Sequence, residues 1–404
     1  MIVWILNHYA VPPDLPGGAR HHELARQLVQ RGHEVVVFAS AFHHFGRRAA
    51  STRLRAPIER INGVTWMWIP TRRYRGNDWR RVLGMCQYLL RSLRLGRRRV
   101  RVVCQASPDV VVGSSVHLLA VLAAYILARR HGARFVMEVR DLWPQTLVEM
   151  GALPRWHPVV GLLRVLEVFL YRRAERVVTV LPHASEYIGR YISAERVVWI
   201  PNGVDPLRFD PTPRRSTTTG DTLRVGYLGA HGTANALEDV LDAADVLRRS
   251  GASVSFEFIG DGPQKAALVA RARSQGITNV AFLDPVPMGE VPAQLARMDV
   301  CVAALRDLPL YRHGVALNKL VDYMAAGRPI VFSGAPANDV VSEAGCGVTV
   351  PAGDPAALAR AIRAVADMTP RQREALGERG RRYVEEHLSW ERLATMYEEV
   401  LQGP

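Results

Sequence analysis

The sequence predicts an α/β protein of two doubly wound, Rossmann-like domains facing each other across a cleft. Two observations carry this expectation: short apolar runs alternate with amphipathic stretches along most of the chain, and one segment with neither pattern divides it. Apolar runs separated by helical stretches are the mark of parallel strands buried on both faces. In the first half they are IVWILN, then a helix through ELARQLVQR stopped at Gly32, then EVVVFA, TWMWI, DVVVG, RFVMEV, RVVTV and RVVWI. PLRFDPTPRRSTTTGD is rich in Pro, Ser and Thr, has no apolar face and reads as a linker. A second series follows: LRVGYLGA, VSFEFIG, NVAFL, VCVAAL, PIVFS and GVTV. The expected organisation is a first domain over 1–205, a linker over 206–222, a second domain over 223–384 and a terminal helix over 385–404 that crosses back to the first domain. With 404 residues, 48% of them apolar, each domain has enough chain for its own core.

Composition removes several classes. The cysteines Cys86, Cys104, Cys301 and Cys346 have no CxxC spacing, so neither a zinc site nor a disulfide framework is indicated. The longest uncharged apolar run, HLLAVLAAYILA, falls short of the roughly 20 residues a spanning helix needs. The chain opens directly on a strand-like run without the features of a secretory signal, and a cytoplasmic location is expected. Its net charge of +14 is local: residues 42–101 hold sixteen arginines against Glu59 and Asp78, and the rest of the chain sums to zero.

Ligands of such sheets bind beyond the carboxyl ends of the strands. After the first strand, Gly17 and Gly18 precede a helix whose free N–H groups can meet an anion, or they serve a turn that needs positive φ. GYLGAHGTANALEDVL places Gly226, Gly229 and Gly232 in a GxxGxxG spacing that is not the dinucleotide fingerprint, and no acid follows at ribose distance. Nicotinamide chemistry is therefore not expected. His231 in that turn is structural or functional with equal weight. In RDLWP, Arg140 and Asp141 leave the sheet either paired with each other or facing a ligand, and in IPNGVD the turn is expected to place Gly203 at positive φ. HGVALNKLVDYMAAGRPIV reads as a loop, a short helix, a Gly stop and a strand, with Lys319 and Asp322 on one helix face. Only two of the 52 basic residues are lysines, Lys265 and Lys319, and a compact ammonium suits a phosphate where a guanidinium fork needs more room. The alternative is a surface lysine pairing with Asp322.

Together, the GG pair, IPNGVD, FIGDGPQK and NKLVDYMAAGRPIV resemble the retaining family 4 glycosyltransferases of GT-B fold, over nearly the whole chain. NHYA, RDLWP and NKLVDYMAAG resemble more narrowly the bacterial branch that builds O-antigen, capsule and exopolysaccharide repeat units. The resemblance implies a nucleoside-diphosphate sugar such as a UDP-sugar held by the second domain, a saccharide acceptor held by the first, and retained anomeric configuration. It assigns the donor to Gly18, Gly229, His231, Asn235, Asn318, Lys319 and Asp322, the acceptor to Gly17, Arg20 and Arg140, and catalysis to Lys319 and Asp141. Two departures stand out. The family's E-x7-E motif falls on Gly314 and Asp322, so its first acid is missing, and the Arg and Lys that many relatives carry after the first strand of the second domain are absent. Lys319 is then the expected partner of the diphosphate and Asp322 that of the ribose. No DxD occurs, so transfer without metal or other cofactor is expected.

Two other readings remain open: a nucleotide-sugar 2-epimerase of the same fold, and a basic nucleic-acid binder, although aromatics are not interleaved as stacking platforms. Inside the basic segment, WRRVLGMCQYLLRSLRL sets Trp79, Val82, Leu83, Cys86, Leu90 and Leu93 against a polar stripe. Either the apolar side packs on the first sheet, or the helix is an amphipathic membrane element. In the second case Arg72, Arg73, Arg80, Arg81, Arg97, Arg98 and Arg99 face an anionic leaflet, each contributing roughly 1 kcal/mol, and the protein is peripheral at the inner membrane face, near a lipid-linked acceptor.

Overall fold

The computed structural model describes residues 1–13, 15, 17–42, 57–74, 79–98, 107–209 and 222–403, with the side chains of 97 and 98 left out. The chain divides into two units, Met1–Pro201 with Trp390–Pro404, and Asn202–Ser389.

The first unit holds an eight-stranded sheet in the order β3-β4-β2-β1-β5-β6-β7-β8. The strands are β1 (Ile2–Leu6), β2 (Glu34–Ser40), β3 (Ile58–Ile61), β4 (Val64–Ile69), β5 (Val110–Ser114), β6 (Arg134–Val139), β7 (Arg176–Thr179) and β8 (Val197–Trp199). All pairs are parallel except β3 with β4. That hairpin turns on Asn62 and Gly63, both at positive φ, and a two-residue Asn-Gly loop matches the twist of the strands it joins. The chain winds one way from β1 and then restarts at β5 on its other side, so the switch point lies between these two strands.

The second unit holds a six-stranded parallel sheet, β11-β10-β9-β12-β13-β14. Its strands are β9 (Leu223–Leu228), β10 (Val254–Ile259), β11 (Val280–Leu283), β12 (Val300–Ala304), β13 (Ile330–Ser333) and β14 (Gly347–Val350). Its switch point lies between β9 and β12. Separate apolar clusters cover the two faces, one built on Val225, Phe256 and Ile362, the other on Cys301, Tyr323 and Met324.

Several boundaries differ from the sequence reading. The helix expected from 385 is two elements: Pro370–His387, and Trp390–Gln402, whose Trp390, Leu393, Tyr397 and Leu401 enter the first unit's core. The break falls at Ser389, which bridges Val204, while Glu398 bonds Arg31 and His33. Of the expected linker, Pro206–Arg208 is a 3₁₀ turn capped by Asp205, and Phe209 is buried in the second unit; 210–221 lie outside the described residues. Gly203 is not at positive φ; Asn202 beside it donates to the Ala316 carbonyl.

The amphipathic helix is Trp79–Arg98, and it is turned the other way from the packed reading. Met85, Tyr88 and Ser92 are buried, and the Tyr88 hydroxyl donates to the Phe38 carbonyl, whereas Trp79, Val82, Leu83 and Leu90 are exposed. Glycine selects this face: a side chain at Gly96 would come within 2.8 Å of Leu127 on the Leu118–His131 helix, so the smooth Gly-containing side makes the close contact. Arg81 also departs from the expected patch. It is half-buried, donates to the Tyr9 hydroxyl and lies over the Tyr9 ring.

One buried network ties the first sheet together. Glu138 on β6 accepts from Ser114 Oγ at 2.8 Å, His21 Nε2 at 2.7 Å and Arg20 Nε at 3.2 Å, and Arg20 also donates to the Pro201 carbonyl. Burial acts to raise the Glu138 pKa, but Arg20 and His21 outweigh it and hold the carboxyl well below its ordinary value. A folded pKa below the unfolded one contributes stability above about pH 4.5 that is lost as pH falls through the folded value. Glu138→Ala leaves Arg20 buried without its counter-charge and is expected to cost about 3–5 kcal/mol, read as a lower urea midpoint at neutral pH. An unchanged midpoint would remove the network from the determinants of this fold.

Candidate active site

In the second unit the loops after β9 and β12 meet at the switch point, where Arg306 N–H donates to the Ala234 carbonyl and its side chain pairs with Glu238. The loop after β9 also packs on the loop after β10, at a distance only glycine allows. A side chain at Gly260 would sit 2.0 Å from the Gly229 carbonyl oxygen, and one at Gly262 within 2.5 Å of the His231 backbone. Lys265 closes the FIGDGPQK turn by donating to the Gly260 and Leu283 carbonyls and to Asp284. One of the two lysines is therefore structural.

The other lysine is the centre of the site. Lys319 opens the Asn318–Ala325 helix, whose first turn has no side-chain cap. Its Nζ donates to Tyr227 Oη at 2.9 Å and Asn235 Oδ1 at 2.6 Å, and stands 4.5 Å from the Tyr227 ring centroid. Both acceptors are oriented in advance: Tyr227 Oη and Asn235 Nδ2 each donate to the Ala230 carbonyl, so the hydroxyl lone pair and the amide oxygen face the ammonium. An ammonium has three donors, and two are used by neutral groups. With no carboxylate in hydrogen-bond contact, burial pushes the Lys319 pKa down to about 7. Asp322, one turn on, is raised by burial to about 7, with Arg208 opposing.

The remaining donor-side residues fall into different roles. Gly229 has φ 148° and leaves room for the Lys319 stem, and Asn318 is exposed on the first turn of the helix. Asn235 is a positioning group, since both ends of its amide are engaged. His231 is fully buried against Tyr227, Phe258 and Phe282, and burial lowers its pKa to about 4. It is neutral at physiological pH and supplies no charge to an anion. Gly314, where the resemblance puts an acid, has φ 89°. That backbone disfavours any side chain, so the loop excludes the missing carboxylate on conformational grounds.

In the first unit Gly17 and Gly18 have φ 127° and 91°, and the helix begins at Arg20. Arg20 is buried on Glu138 and braces the sheet rather than presenting a charge to an acceptor. Arg140 N–H is held by Ser115 Oγ, burial lowers the Arg140 pKa and raises that of Asp141, and the Trp143–Pro144 peptide is cis. Two groups the sequence reading passed over lie at the switch point. His8 follows β1, His117 follows β5, and His8 Nδ1 lies 2.9 Å from His117 Nε2. His117 Nδ1 accepts from the Ala120 N–H as the cap of the Leu118–His131 helix, so the His117 proton sits on Nε2 and is donated to His8. Burial, with Arg81 nearby, lowers the His117 pKa to about 3. His8 stacks between Tyr9 and Tyr88. The signal that would have found both is a histidine one or a few residues beyond a central parallel strand.

Two doubly wound units, each with polar groups gathered at its switch point, form the GT-B architecture. The family model described as Glycosyl transferases group 1 matches residues 222–368, and that described as Glycosyl transferase 4-like domain matches 17–203. The chain belongs to this family and is a glycosyltransferase. Among relatives it is similar to "Probable glycosyltransferase WbjE" of Pseudomonas aeruginosa, 27% identical over 64% of this chain and 66% of that protein, which is just under two thirds of the relative's length. Among solved structures it is similar to HepE of Anabaena in complex with UDP and glucose, at 15% identity and TM-score 0.70 over 100% of this chain and 99% of that one. It is also similar to WaaG, a glycosyltransferase involved in lipopolysaccharide biosynthesis, at 14% identity and TM-score 0.68 over 100% of both chains.

Removing the half-buried ammonium is expected to separate activity from stability. With Lys319 at about 7 in the fold and 10.5 unfolded, the unfolded chain holds more protons between those values, so burial of the amine opposes folding most fully at and below neutral pH. Lys319→Met should abolish most transfer while the melting temperature at neutral pH stays equal or rises. A variant with wild-type turnover would take Lys319 out of the site.

Proposed function

We propose that the protein is a retaining glycosyltransferase that moves a sugar from a nucleoside-diphosphate sugar, UDP being the favoured nucleotide, to a lipid-linked saccharide. The setting is cell-surface polysaccharide biosynthesis on the cytoplasmic side of a membrane. The observation that carries the reading is Lys319: an ammonium desolvated at a strand-end switch point, fixed by neutral groups and left with one donor unused. In the reaction the bond from the sugar's anomeric carbon to the diphosphate breaks, and that carbon bonds an acceptor hydroxyl, whose proton must be taken up. Charge develops on the departing diphosphate, and stabilising it is usually the largest contribution to such catalysis. Lys319 and the uncapped first turn of its helix fit that role, Asp322 fits the ribose hydroxyls, and Asp141 is assigned the acceptor-side polar group or proton acceptor. HepE binding UDP and glucose and WaaG acting in lipopolysaccharide biosynthesis support the donor and the pathway class.

A nucleoside diphosphate favours the charged amine, so affinity should fall as pH rises through about 7, where Lys319 loses its proton. A ribose diol favours the carboxylate, so affinity should also fall as pH drops below about 7, where Asp322 gains one. Titrating nucleoside diphosphate by calorimetry is expected to show an optimum near neutrality. Asp322→Asn should flatten the acid limb, and Lys319→Met the alkaline limb. A flat profile in the wild type would disconnect both groups from the nucleotide.

Transfer without a metal is proposed because the sequence has no DxD pair to hold Mg²⁺ on a diphosphate. Turnover should persist in EDTA. Complete loss, restored by Mg²⁺ or Mn²⁺, would replace the cationic mechanism with a metal-assisted one.

The basic segment supports electrostatic docking to an anionic leaflet, through Arg72, Arg73 and Arg80, which are exposed. The side chains of Arg97 and Arg98 and the whole of Arg99 lie outside the described residues. Among the described residues no helix is long and apolar enough to cross a membrane.

A further inference from the structure

Three helices of the first unit lie side by side on its sheet: Trp79–Arg98, Leu118–His131 and Pro158–Arg173, with the middle one in contact with both others and with β5 and β6. The middle helix is apolar nearly all round, and its buried Ala120, Ala123 and Ala124 let it sit close to its neighbours. Each of the outer two buries part of its apolar side chains and presents others to solvent. Trp79 is 61% exposed on one; on and just before the other, Trp156 is 82%, Leu162 70% and Val165 69% exposed. Leu162, Val165 and Phe169 fall at i, i+3 and i+7, so they make one stripe.

The charges of this layer are of one sign. The three helices contain eleven arginines and a single acid, Glu167. Glu167 is fully buried, where it pairs with Arg164 and accepts from the Tyr171 and Tyr187 hydroxyls. None of the three helices exposes a carboxylate, while Arg80, Arg94, Arg129, Arg130, Arg172 and Arg173 are exposed. A protein partner would have to cover large apolar side chains and answer only positive charge. A leaflet of anionic lipid does both, with tryptophans at the headgroup level and arginines reaching the phosphates.

We infer that this helical layer docks on an anionic membrane by inserting the Trp156–Phe169 and Trp79–Leu90 stripes into the boundary between headgroups and acyl chains. The inference rests on the electrostatic docking proposed above and adds a second component to it. Attraction between the arginines and the leaflet is screened over a Debye length of about 8 Å at physiological salt and about 3 Å at 1 M. Apolar burial survives that screening, so the two components separate by salt.

The test is cosedimentation of the full-length protein with vesicles of phosphatidylglycerol and phosphatidylethanolamine, or of phosphatidylcholine alone, at about 0.05 M and about 0.5 M NaCl. The variants are Leu162→Gln with Val165→Gln, and Arg72→Glu with Arg73→Glu. Wild type is expected to bind the anionic vesicles at low salt, to keep a measurable bound fraction at high salt, and to show a blue shift in tryptophan emission that Trp156→Phe diminishes. The Leu162 and Val165 variant should bind about tenfold or more weakly and release fully at high salt, with unchanged melting temperature and unchanged transfer to a water-soluble acceptor. The arginine variant should lose mainly the low-salt binding. If the apolar variant binds like wild type at both salts, insertion is overturned and electrostatic docking stands. Wild type that binds no vesicle at low salt overturns both. A wild-type dimer that the apolar variant splits, with no change in vesicle binding, overturns insertion and makes the stripe a self-association surface.

Discussion

The arrangement of the second unit depends on holding one half-buried ammonium, Lys319 Nζ, on neutral acceptors, with no carboxylate among the described residues bonded to it. Neutral acceptors make this possible only if they cannot turn away. The Ala230 carbonyl provides that constraint by accepting from both Tyr227 Oη and Asn235 Nδ2. The carbonyl is in turn set by the tight loop that Gly229, Gly260 and Gly262 allow. A chain of close backbone contacts thus ends in a cation that burial makes costly to hold. Strain of this kind belongs to binding sites, where stability is exchanged for affinity.

The first unit solves a related problem with the opposite charge. Glu138, deep in a parallel sheet, is surrounded by Arg20, His21 and Ser114, so a buried carboxylate becomes a joint between β5, β6 and the helix that follows the GG loop. Two further histidines lie beside it at the switch point, where His117 is locked in one tautomer by the helix it caps and orders His8 in turn. Each sheet therefore gathers polar groups where the strand order reverses, the location that an open parallel sheet leaves uncovered.

Arginine sorts into two populations. Arg20, Arg81 and Arg134 turn inward to carboxylates, carbonyls or a tyrosine hydroxyl, whereas Arg80, Arg94, Arg129, Arg130, Arg172 and Arg173 of the helical layer stand outside beside exposed apolar residues. The long aliphatic stem with a delocalised charge serves both uses. The reversed face of the Trp79–Arg98 helix follows from packing: a close neighbour rich in alanine accepts glycine and tyrosine and leaves no depth for a tryptophan or leucine row.

The sequence by itself determined the two-domain parallel architecture, because strands buried on both faces must be apolar runs and amphipathic helices must lie between them. It also singled out Lys319, one of only two lysines in an arginine-rich chain, and Asp322, which shares its helix face. It gave little sign of β3, a short charged edge strand whose Asn62–Gly63 turn was its one marker. The tertiary structure alone decided that Arg20 is a brace, that Asn235 positions Lys319, that His231 is a neutral core residue and that His8 and His117 meet across 109 positions of sequence. It also decided which side of the basic helix faces out. Periodicity records that a helix has two faces, but which face is buried depends on the shape of the neighbour, and a side chain's charge state depends on the burial and partners that distant segments supply.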